Sequence, residues 1–275
     1  MTVNAFPHET YRNQRRDQDC DEVLTPLDPL LHKRRVAAPQ MVGVAIPARN
    51  ERRDIAAALR AIKRALDHPA MYRTRRIIVV ADDDSDDNSG ELAKETLGRD
   101  GEVVMGRFGS AGAARGAAVS RLLELADRLP PHEVWLATTD ADSRVPSSWL
   151  GAQIGWWKMG ADAVAGLVKP IWEGKGTSPL RHRYEAMMAA LGTGPGHPHV
   201  FGANLGFTAE AYLKAGGLSP LATGEDHALW NALRASGCRA VSVADDPVLT
   251  STRLVGRAPG GFASLLTDLA AGSAD

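Results

Sequence analysis

Two aspartates, Asp140 and Asp142, directly follow an apolar, β-prone run at residues 134–138. Side chains two residues apart in a strand point to the same face, so both carboxylates would face one way. Oxygen ligands at the end of a buried strand suit a hard divalent cation that keeps coordination positions open for substrate phosphates. A solvated turn explains the same spacing, and the surrounding residues therefore decide between the two interpretations.

An acidic cluster at residues 82–89 follows a second apolar run at residues 77–81. Counted from Asp84, its oxygen-bearing side chains partly fit a calcium loop. Gly90, however, stands at the seventh position where such a loop needs glycine at the sixth, and a strand precedes the cluster instead of a helix. Setting the calcium loop aside leaves a strand-end carboxylate that contacts a nucleotide, or a polar turn that leads into a helix.

A stretch of small residues at 109–116 contains one arginine, Arg115, and leads into a predicted helix. Small residues allow close approach to the backbone, and a helix N-terminus together with a guanidinium favours phosphate. The stretch is neither a Walker loop nor the dinucleotide-binding fingerprint, because the lysine and the glycine spacing that these motifs require are absent. Tight packing of the helix on a sheet is the alternative.

Another pair of acids, Glu225 and Asp226, stands at the start of a helix predicted over residues 226–236. The helix dipole alone favours acids there, but such a carboxylate can also serve as a general base toward an acceptor hydroxyl. His197 and His199 have the spacing of a metal pair. Their glycine-rich segment, 192–199, reads as a mobile loop, which disfavours a ligand role.

Apolar runs alternate with amphipathic segments through the first half of the chain, a pattern typical of a parallel sheet covered on both faces. The predicted strands are 42–46 (ended by Pro47), 77–81, 102–105 and 134–138, and the predicted helices are 55–66, a segment from Asn88 (paired with Glu91 as a cap) to about residue 97, and a long helix capped by Ser110. Ligands of such sheets bind beyond the carboxyl ends of the strands. The polar segments 48–51, 82–87 and 140–142 should therefore converge on one crevice.

The second half of the chain is less regular. It contains predicted strands at 162–168, 201–208 and 239–243, and segments predicted as loops at 169–178 and 192–199. A glycine-containing tail follows the last strand.

Composition sets limits on the class of protein. The chain has 275 residues, a formal net charge of −1 and 44% hydrophobic residues. This balance gives no electrostatic case for a nucleic-acid partner, no apolar run approaches the ~20 residues of a membrane span, and the N-terminus lacks the apolar core of a signal peptide. The two cysteines, Cys20 and Cys238, form neither a metal-ligand spacing nor a disulfide framework. We expect a cytoplasmic protein.

Six segments, in order and spacing, resemble the successive motifs of family 2 glycosyltransferases with the GT-A fold. They are VGVAIPARNE (42–51), IIVVADDDSDD (77–87), AARG (113–116), TDAD (139–142), GANLGF (202–207) and GEDHAL (224–229). The resemblance runs over roughly residues 40–250. It implies an α/β fold with a Rossmann-like, mostly parallel central sheet flanked by helices.

The resemblance also implies a chemistry: transfer of a sugar from a UDP- or GDP-linked donor to an acceptor hydroxyl, with inversion and with Mg²⁺ or Mn²⁺ as cofactor. Asp226, with Glu225 beside it, would supply the catalytic base, and Asp140 and Asp142 would hold ribose and metal. The residues implied to contact the donor are Pro47, Ala48, Arg49, Glu51, Asp82, Asp84, Arg115, Asp140, Ala141, Asp142, Gly202, Ala203 and Asn204.

We accordingly divide the chain into an N-terminal arm or tail (1–38), a nucleotide-sugar-binding half (39–145), an acceptor-binding and catalytic half (146–257) and a C-terminal tail (258–275). All but the two tails belong to one domain.

Two departures from the family pattern bear on this interpretation. Many GT-A enzymes use a late histidine as an additional metal ligand, whereas this chain ends the corresponding segment with Arg253. Either another group completes the metal shell, or Arg253 and Arg257 neutralise the diphosphate directly. Asp84 also replaces the usual glycine of the second motif, which affects the predicted contacts to the base.

Two other functions stay open at this point. A sugar-phosphate nucleotidyltransferase has a similar layout but needs a glycine-rich early loop, and residues 48–53 are basic without glycine. A non-catalytic nucleotide-binding protein on the same fold is the second. The sequence leaves open the acceptor, the oligomeric state and a peripheral membrane contact through a lipid-linked acceptor.

Overall fold

A computed structural model describes residues 35, 37–172, 178–219, 221–253 and 262–271. Within them a seven-stranded sheet is flanked by helices. The strands are β1 (Met41–Ala48), β2 (Arg75–Asp83), β3 (Gly101–Gly106), β4 (Val134–Thr138), β5 (Ala163–Ile171), β6 (Leu205–Thr208) and β7 (Ala240–Ser251). The α-helices are α1 (Ile55–Leu66), α2 (Ser89–Leu97), α3 (Ala111–Leu125), α4 (Trp149–Lys158), α5 (Pro179–Leu191), α6 (Ala209–Lys214), α7 (Glu225–Ala235) and α8 (Phe262–Ala271).

The strand order is β3-β2-β1-β4-β6-β5-β7. The first four strands are mutually parallel, as predicted. β6 runs antiparallel to both of its neighbours, and β5 pairs in parallel with β7. The sheet is therefore mostly parallel, with β6 as its one reversed strand among those described, and the carboxyl ends of β1, β2 and β4 meet at one edge.

The central strand β1 is buried on both faces, which explains its continuous apolar sequence. Its alternating side chains belong to two different cores: Val44 packs with Leu59 of α1 and Trp149 of α4, whereas Ala45 packs with Leu122 of α3. The predicted apolar stripe of α1 is confirmed, because Ile55, Leu59, Ile62 and Leu66 are all buried. Helices thus cover both faces of the sheet.

Two local predictions in the first half are wrong. Pro47 does not end β1, which continues to Ala48. The ladder with β4 has already ended at Ala45, so the missing N–H of Pro47 removes no bond on that side. Asn88 precedes α2 in a left-handed conformation, with φ of 62°, and its side chain makes no capping hydrogen bond. The predicted cap with Glu91 is therefore absent, whereas Ser110 does cap α3 by accepting from the backbone N of Ala113.

The second half is more ordered than the sequence predicts. β7 spans 12 residues where five were expected, and residues 201–208 form a 3₁₀ turn before the short β6. Helix α5 follows the segment expected to be a loop, of which residues 173–177 lie outside the described residues. Helix α8 lies within the predicted tail and packs on α5, with Tyr184, Met188, Leu266 and Leu269 in one small core.

The predicted N-terminal arm, except for residues 35, 37 and 38, lies outside the described residues, as does Arg257. Among the helices described, none combines the length and the apolar character needed to cross a bilayer.

Candidate active site

The loop after β1 and the acidic cluster after β2 are joined by side-chain hydroxyls and an amide. The backbone N of Glu51 donates to Oγ of Ser89 over 2.7 Å, and that of Asn50 donates to Oγ of Ser85 over 2.9 Å. In return, Oδ1 of Asn50 accepts from the backbone N of Asp86 over 3.0 Å. These reciprocal bonds fix the first two polar segments as one wall of the crevice.

Three consecutive aspartates at the end of β2 have three different environments. Asp82 is 1% exposed, and only its Oδ1 has a partner, the hydroxyl of Ser85. Asp83 accepts from the backbone N of both Phe108 and Gly109, at 2.5 and 2.9 Å. Asp84 is exposed and lies 2.9 Å from Nε of Arg107. Of the three, Asp82 therefore keeps an unused acceptor atom.

Burial raises the pKa of Asp82, the hydrogen bond from Ser85 opposes this, and the neighbouring acids add to it. Oδ2 of Asp82 lies against Gly90, where a Cβ would come within 2.6 Å of it. A buried carboxylate oxygen without a partner is costly in the free protein. It suits a ligand that brings its own N–H donor.

Arg115 occupies the centre of the site. Nη2 donates to Oδ1 of Asp140 over 2.7 Å and Nη1 donates to Glu225. Burial alone lowers the pKa of this guanidinium, but the charges of Asp140 and Glu225 outweigh burial, and the pKa is raised above its ordinary value. Because Arg115 is only 4% exposed, its charge is held on these two carboxylates in a place largely closed to water.

Asp142 is paired with a different arginine. Nη2 of Arg253 lies 3.2 Å from Oδ2 of Asp142. The same guanidinium donates to both carboxylate oxygens of Glu51, over 2.9 and 2.8 Å. Burial raises the pKa of Asp142 to about 7, although Arg253 acts in the opposite direction.

Contacts between β7 and the turn after β4 place Arg253 beside Asp142. Arg144 and Leu249 form an isolated antiparallel bridge, with backbone N···O distances of 2.7 and 3.1 Å. The neighbouring residues are also bonded: Oγ of Ser143, which precedes Arg144, donates to Oγ1 of Thr250, which follows Leu249, over 3.1 Å. The end of β7 is thus fixed against the Asp-x-Asp turn.

The two acids at the start of α7 point in different directions. Glu225 is buried against Arg115. Asp226 is half-buried; its Oδ2 accepts from the backbone N of Gly202 over 2.9 Å and its Oδ1 accepts from that of His227 over 2.8 Å. Of the pair, Asp226 is therefore the more exposed acid.

The 3₁₀ turn Gly202–Asn204 connects the start of α7 to β4. The carbonyl of Gly202 accepts from Oγ1 of Thr138 over 2.6 Å, and a Cβ at Gly202 would lie 2.7 Å from Cζ of Arg115. Ala203 is buried beside it. The turn therefore needs glycine where it passes the guanidinium.

Asn204, predicted to contact the donor, uses its side chain inside the protein. Oδ1 accepts from Nε1 of Trp149 and Nδ2 donates to the carbonyl of Leu167, both over 2.8 Å. The residue is 2% exposed, so its side chain is buried under the 3₁₀ turn and holds it to Trp149 and Leu167. We therefore expect Asn204 to position Gly202 and Ala203 and not to reach the ligand itself.

The remaining predicted residues lie around this centre. Pro47 and Ala48 are buried at the end of β1, and Ala141 is buried in the core between the two aspartates. Arg49 is about half exposed, with Nη1 3.5 Å from Oδ2 of Asp83. Asp84 points away to Arg107, so the structure does not bring it to the centre.

His197 and His199 are buried, and each ring is bound to a backbone carbonyl: His197 to Val243 and His199 to Gly192, both over 2.9 Å. Burial lowers the pKa of both imidazoles. Across the described residues, no three His, Cys, Asp or Glu side chains are grouped so as to hold a metal ion. The pair is best understood as part of the packing below β7.

Sequence reasoning missed Asp83 and Thr138, which hold the loops around the site. Asp83 lies between two other acids, so its residue type does not set it apart, although alternation along a strand predicts that it faces the opposite side from Asp82. Thr138 carries no comparable signal.

The sequence profile described as Glycosyl transferase family 2 matches residues 43–214. No curated protein sequence matches the chain. Among solved structures, residues 1–349 of S. aureus TarS match with a TM-score of 0.55 and 13% identity, over 78% of this chain and 60% of that one; a longer TarS structure is matched over 36% of its length.

Two further structures carry ligands. The mannosyltransferase PcManGT from Pyrobaculum calidifontis, in complex with GDP-Man and Mn²⁺, matches with a TM-score of 0.55 and 18% identity over 85% of this chain and 70% of that one. Glucosyl-3-phosphoglycerate synthase from Mycobacterium tuberculosis, with Mn²⁺, UDP-glucose and phosphoglyceric acid, matches with a TM-score of 0.52 and 16% identity over 85% and 78%. At these identities the likeness shows the fold, and it confirms the predicted GT-A architecture.

Proposed function

The chain belongs to glycosyl transferase family 2, and from this premise we propose that it transfers a sugar from a nucleoside-diphosphate sugar to an acceptor hydroxyl with inversion at the anomeric carbon. The observation that carries the proposal is the position of Arg115, which bonds at once to the acid of the donor motif, Asp140, and to Glu225 beside the predicted base. Donor and acceptor chemistry would thus share one charged centre. We expect the reaction to take place in the cytoplasm.

The nucleoside binds at the ends of β1 and β2. The unused Oδ2 of Asp82 accepts an N–H from the base, which both uracil and guanine offer, and Pro47, Ala48 and Arg49 line the approach. Asp140 accepts from a ribose hydroxyl. A carboxylate that lacks a partner in the free protein and gains one in the complex contributes affinity and selectivity for the base.

Asp226 acts as the general base. It removes the proton of the acceptor hydroxyl while that oxygen attacks the anomeric carbon, the new C–O bond forms, and the bond from that carbon to the diphosphate oxygen breaks. The electron pair leaves with the nucleoside diphosphate, and attack from the opposite side inverts the configuration. The hydrogen bond from Gly202 orients the carboxylate for this step.

The family pattern leads us to expect Mg²⁺ or Mn²⁺ on Asp140 and Asp142, but the donor set does not fit a resident ion. Each of these acids is already paired with an arginine, at 2.7 and 3.2 Å. In the described part of the chain, no third His, Cys, Asp or Glu completes a metal cluster with them. Guanidinium groups, and not a metal ion, therefore stabilise the developing charge of the leaving group.

A donor panel tests the proposal. We expect the purified protein to bind UDP or GDP and to release it from one of a set of UDP- and GDP-linked sugars, alone by slow hydrolysis or faster with an acceptor. Consumption of a nucleoside triphosphate with release of pyrophosphate would instead identify a nucleotidyltransferase. Binding without turnover of any donor would identify a nucleotide-binding protein.

A further inference from the structure

We propose that Arg253 takes the place of a divalent cation beside Asp142, so that a pair of guanidiniums, Arg253 and Arg115, neutralises the diphosphate as it leaves. The inference rests on the proposed function and specifies how its leaving group is stabilised. It concerns the point where the chain departs from its family pattern, an arginine at the end of the strand that elsewhere carries a histidine ligand.

The Arg253 guanidinium is held by two acids at once. It donates to both oxygens of Glu51 and lies 3.2 Å from Asp142. The Glu51 side chain is only 7% exposed and that of Asp142 only 10%. A cation entering this place would have to displace a guanidinium that already holds two buried carboxylates.

A guanidinium stands beside each acid of the Asp-x-Asp motif. In a metal-dependent site these acids would hold an added cation that faces the phosphate. Here Arg115 pairs with Asp140 and also with Glu225, and Arg253 pairs with Asp142 and also with Glu51. Each acid that would hold a cation thus already has a positive charge of the protein beside it.

The hydrogen-bonding capacity of Arg253 suits a phosphate. A guanidinium has five N–H donors in a plane and matches phosphate oxygens in a bidentate manner. Glu51 takes two of these donors and Asp142 is near a third. The side chain is 30% exposed, and its two other N–H groups are not taken up by these acids.

The fixed position of Arg253 supports a permanent role. The bridge between Arg144 and Leu249 and the Ser143–Thr250 hydrogen bond hold the end of β7 against the Asp-x-Asp turn. Preorganised charge of this kind stabilises a developing anion without reorganisation during the reaction.

Binding measurements on the full chain test the inference directly. Titration calorimetry with UDP and with GDP is done in EDTA and again in MnCl₂, and Mn²⁺ binding to the protein alone is followed by electron paramagnetic resonance. We expect one of the nucleotides to bind in EDTA with an affinity within about threefold of that in Mn²⁺, and no stoichiometric Mn²⁺ binding without nucleotide.

Variants sharpen the result. Arg253→Ala should lower nucleotide affinity in EDTA by about 10- to 100-fold, the loss expected for charged hydrogen bonds. Arg253→His should show the same loss in EDTA but bind Mn²⁺ between the imidazole, Asp142 and Glu51, and should recover affinity when Mn²⁺ is added. Arg121→Ala, which removes an arginine paired with Glu102 and Glu124, neither of them a residue of the site, is the matched control and should bind as the wild type does.

The possible failures are distinct. A wild-type protein that binds nucleotide about tenfold or more tightly with Mn²⁺ than in EDTA, or that binds Mn²⁺ alone, overturns the role of Arg253 and leaves the glycosyltransferase proposal intact. A wild-type protein that binds neither nucleotide under either condition overturns the proposed function, and the inference falls with it. The wild-type arm decides even where a variant fails to fold.

Discussion

Nη2 of Arg115 lies 2.7 Å from Oδ1 of Asp140 and thereby joins helix α3 to the turn after β4. Through its other nitrogen the same side chain reaches Glu225 at the start of α7. Asp140 and Glu225 lie 25 and 110 residues from Arg115 along the chain, so three distant segments meet at one buried charge. The packing of these three segments therefore depends on this charge.

Arg115→Ala should lower the free energy of unfolding by about 3–5 kcal/mol, because removing one member of the buried ion pair leaves the carboxylate of Glu225, which is only 10% exposed, without its guanidinium. Urea unfolding followed by circular dichroism measures the effect. Arg121→Ala removes a partly exposed arginine and should cost less than about 1 kcal/mol. Equal losses for the two variants would contradict the central role of Arg115.

Asp226→Asn should reduce turnover by about 10²–10⁴-fold and leave nucleotide affinity unchanged, since the amide takes up no proton. Its one oxygen can still accept from the N–H of Gly202, at the expense of the bond from the N–H of His227. Product formation with the best donor and calorimetry with its nucleotide give the two readouts. Glu210→Gln removes an acid from the first turn of another helix, α6, and should act as the wild type does. Undiminished turnover in Asp226→Asn would remove the assignment of the base.

Asp82→Asn should gain stability relative to the wild type as the pH rises. Burial raises the pKa of Asp82, so above 3.8 the folded protein holds a proton that the unfolded chain has released. The stabilisation is complete at low pH and is lost as the pH rises through the folded pKa. The uncharged amide escapes this loss, but it should bind nucleotide more weakly.

Thermal unfolding of Asp82→Asn and the wild type across the range from acid to neutral pH measures this difference. Asp100→Asn is the control of opposite sign, because the hydrogen bond from Lys63 lowers the pKa of Asp100. It should be less stable than the wild type at neutral pH and match it in acid. A gap between Asp82→Asn and the wild type that does not change with pH would contradict the prediction.

Gly202→Ala should cost about 1–3 kcal/mol of stability and impair turnover, because the added Cβ would lie 2.7 Å from Cζ of the buried Arg115 guanidinium. Gly155→Ala in α4 meets nothing within 4 Å and should stabilise the protein by about 0.5–1 kcal/mol. Urea midpoints of both variants decide. Retention of full stability in Gly202→Ala would show that the turn is not constrained by Arg115.

Much of the first half of the fold follows from the sequence alone. The apolar runs at residues 42–46, 77–81 and 134–138 and the stripe of α1 mark elements that bury a defined face, and burial of a face leaves a local period. The predicted end of β1 at Pro47 is wrong because the missing N–H of proline matters only where a neighbouring strand would accept a hydrogen bond from it. That depends on how far the pairing with β4 extends, which is a property of the tertiary structure.

The second half was harder to predict for the same reason. β6 is only four residues long and runs against its neighbours, and β7 is half-buried and bends at a register shift beside Val168. Short or partly exposed strands carry little periodicity. The small apolar face of helix α5 is buried by α8, a contact between segments that are far apart in the sequence.

The sequence by itself determined the order of the motifs, the family and the identity of the acids at the strand ends, because strand and helix periods and the residues that follow them are local properties. Only the tertiary structure decided how the charges combine. Arg253 meets Glu51 across 202 residues, and Asp142 receives its guanidinium because the end of β7 is fixed on the turn after β4. An ion pair of this kind depends on the register of the sheet and on which distant segments come into contact. Residue spacing along the chain does not predict either of these.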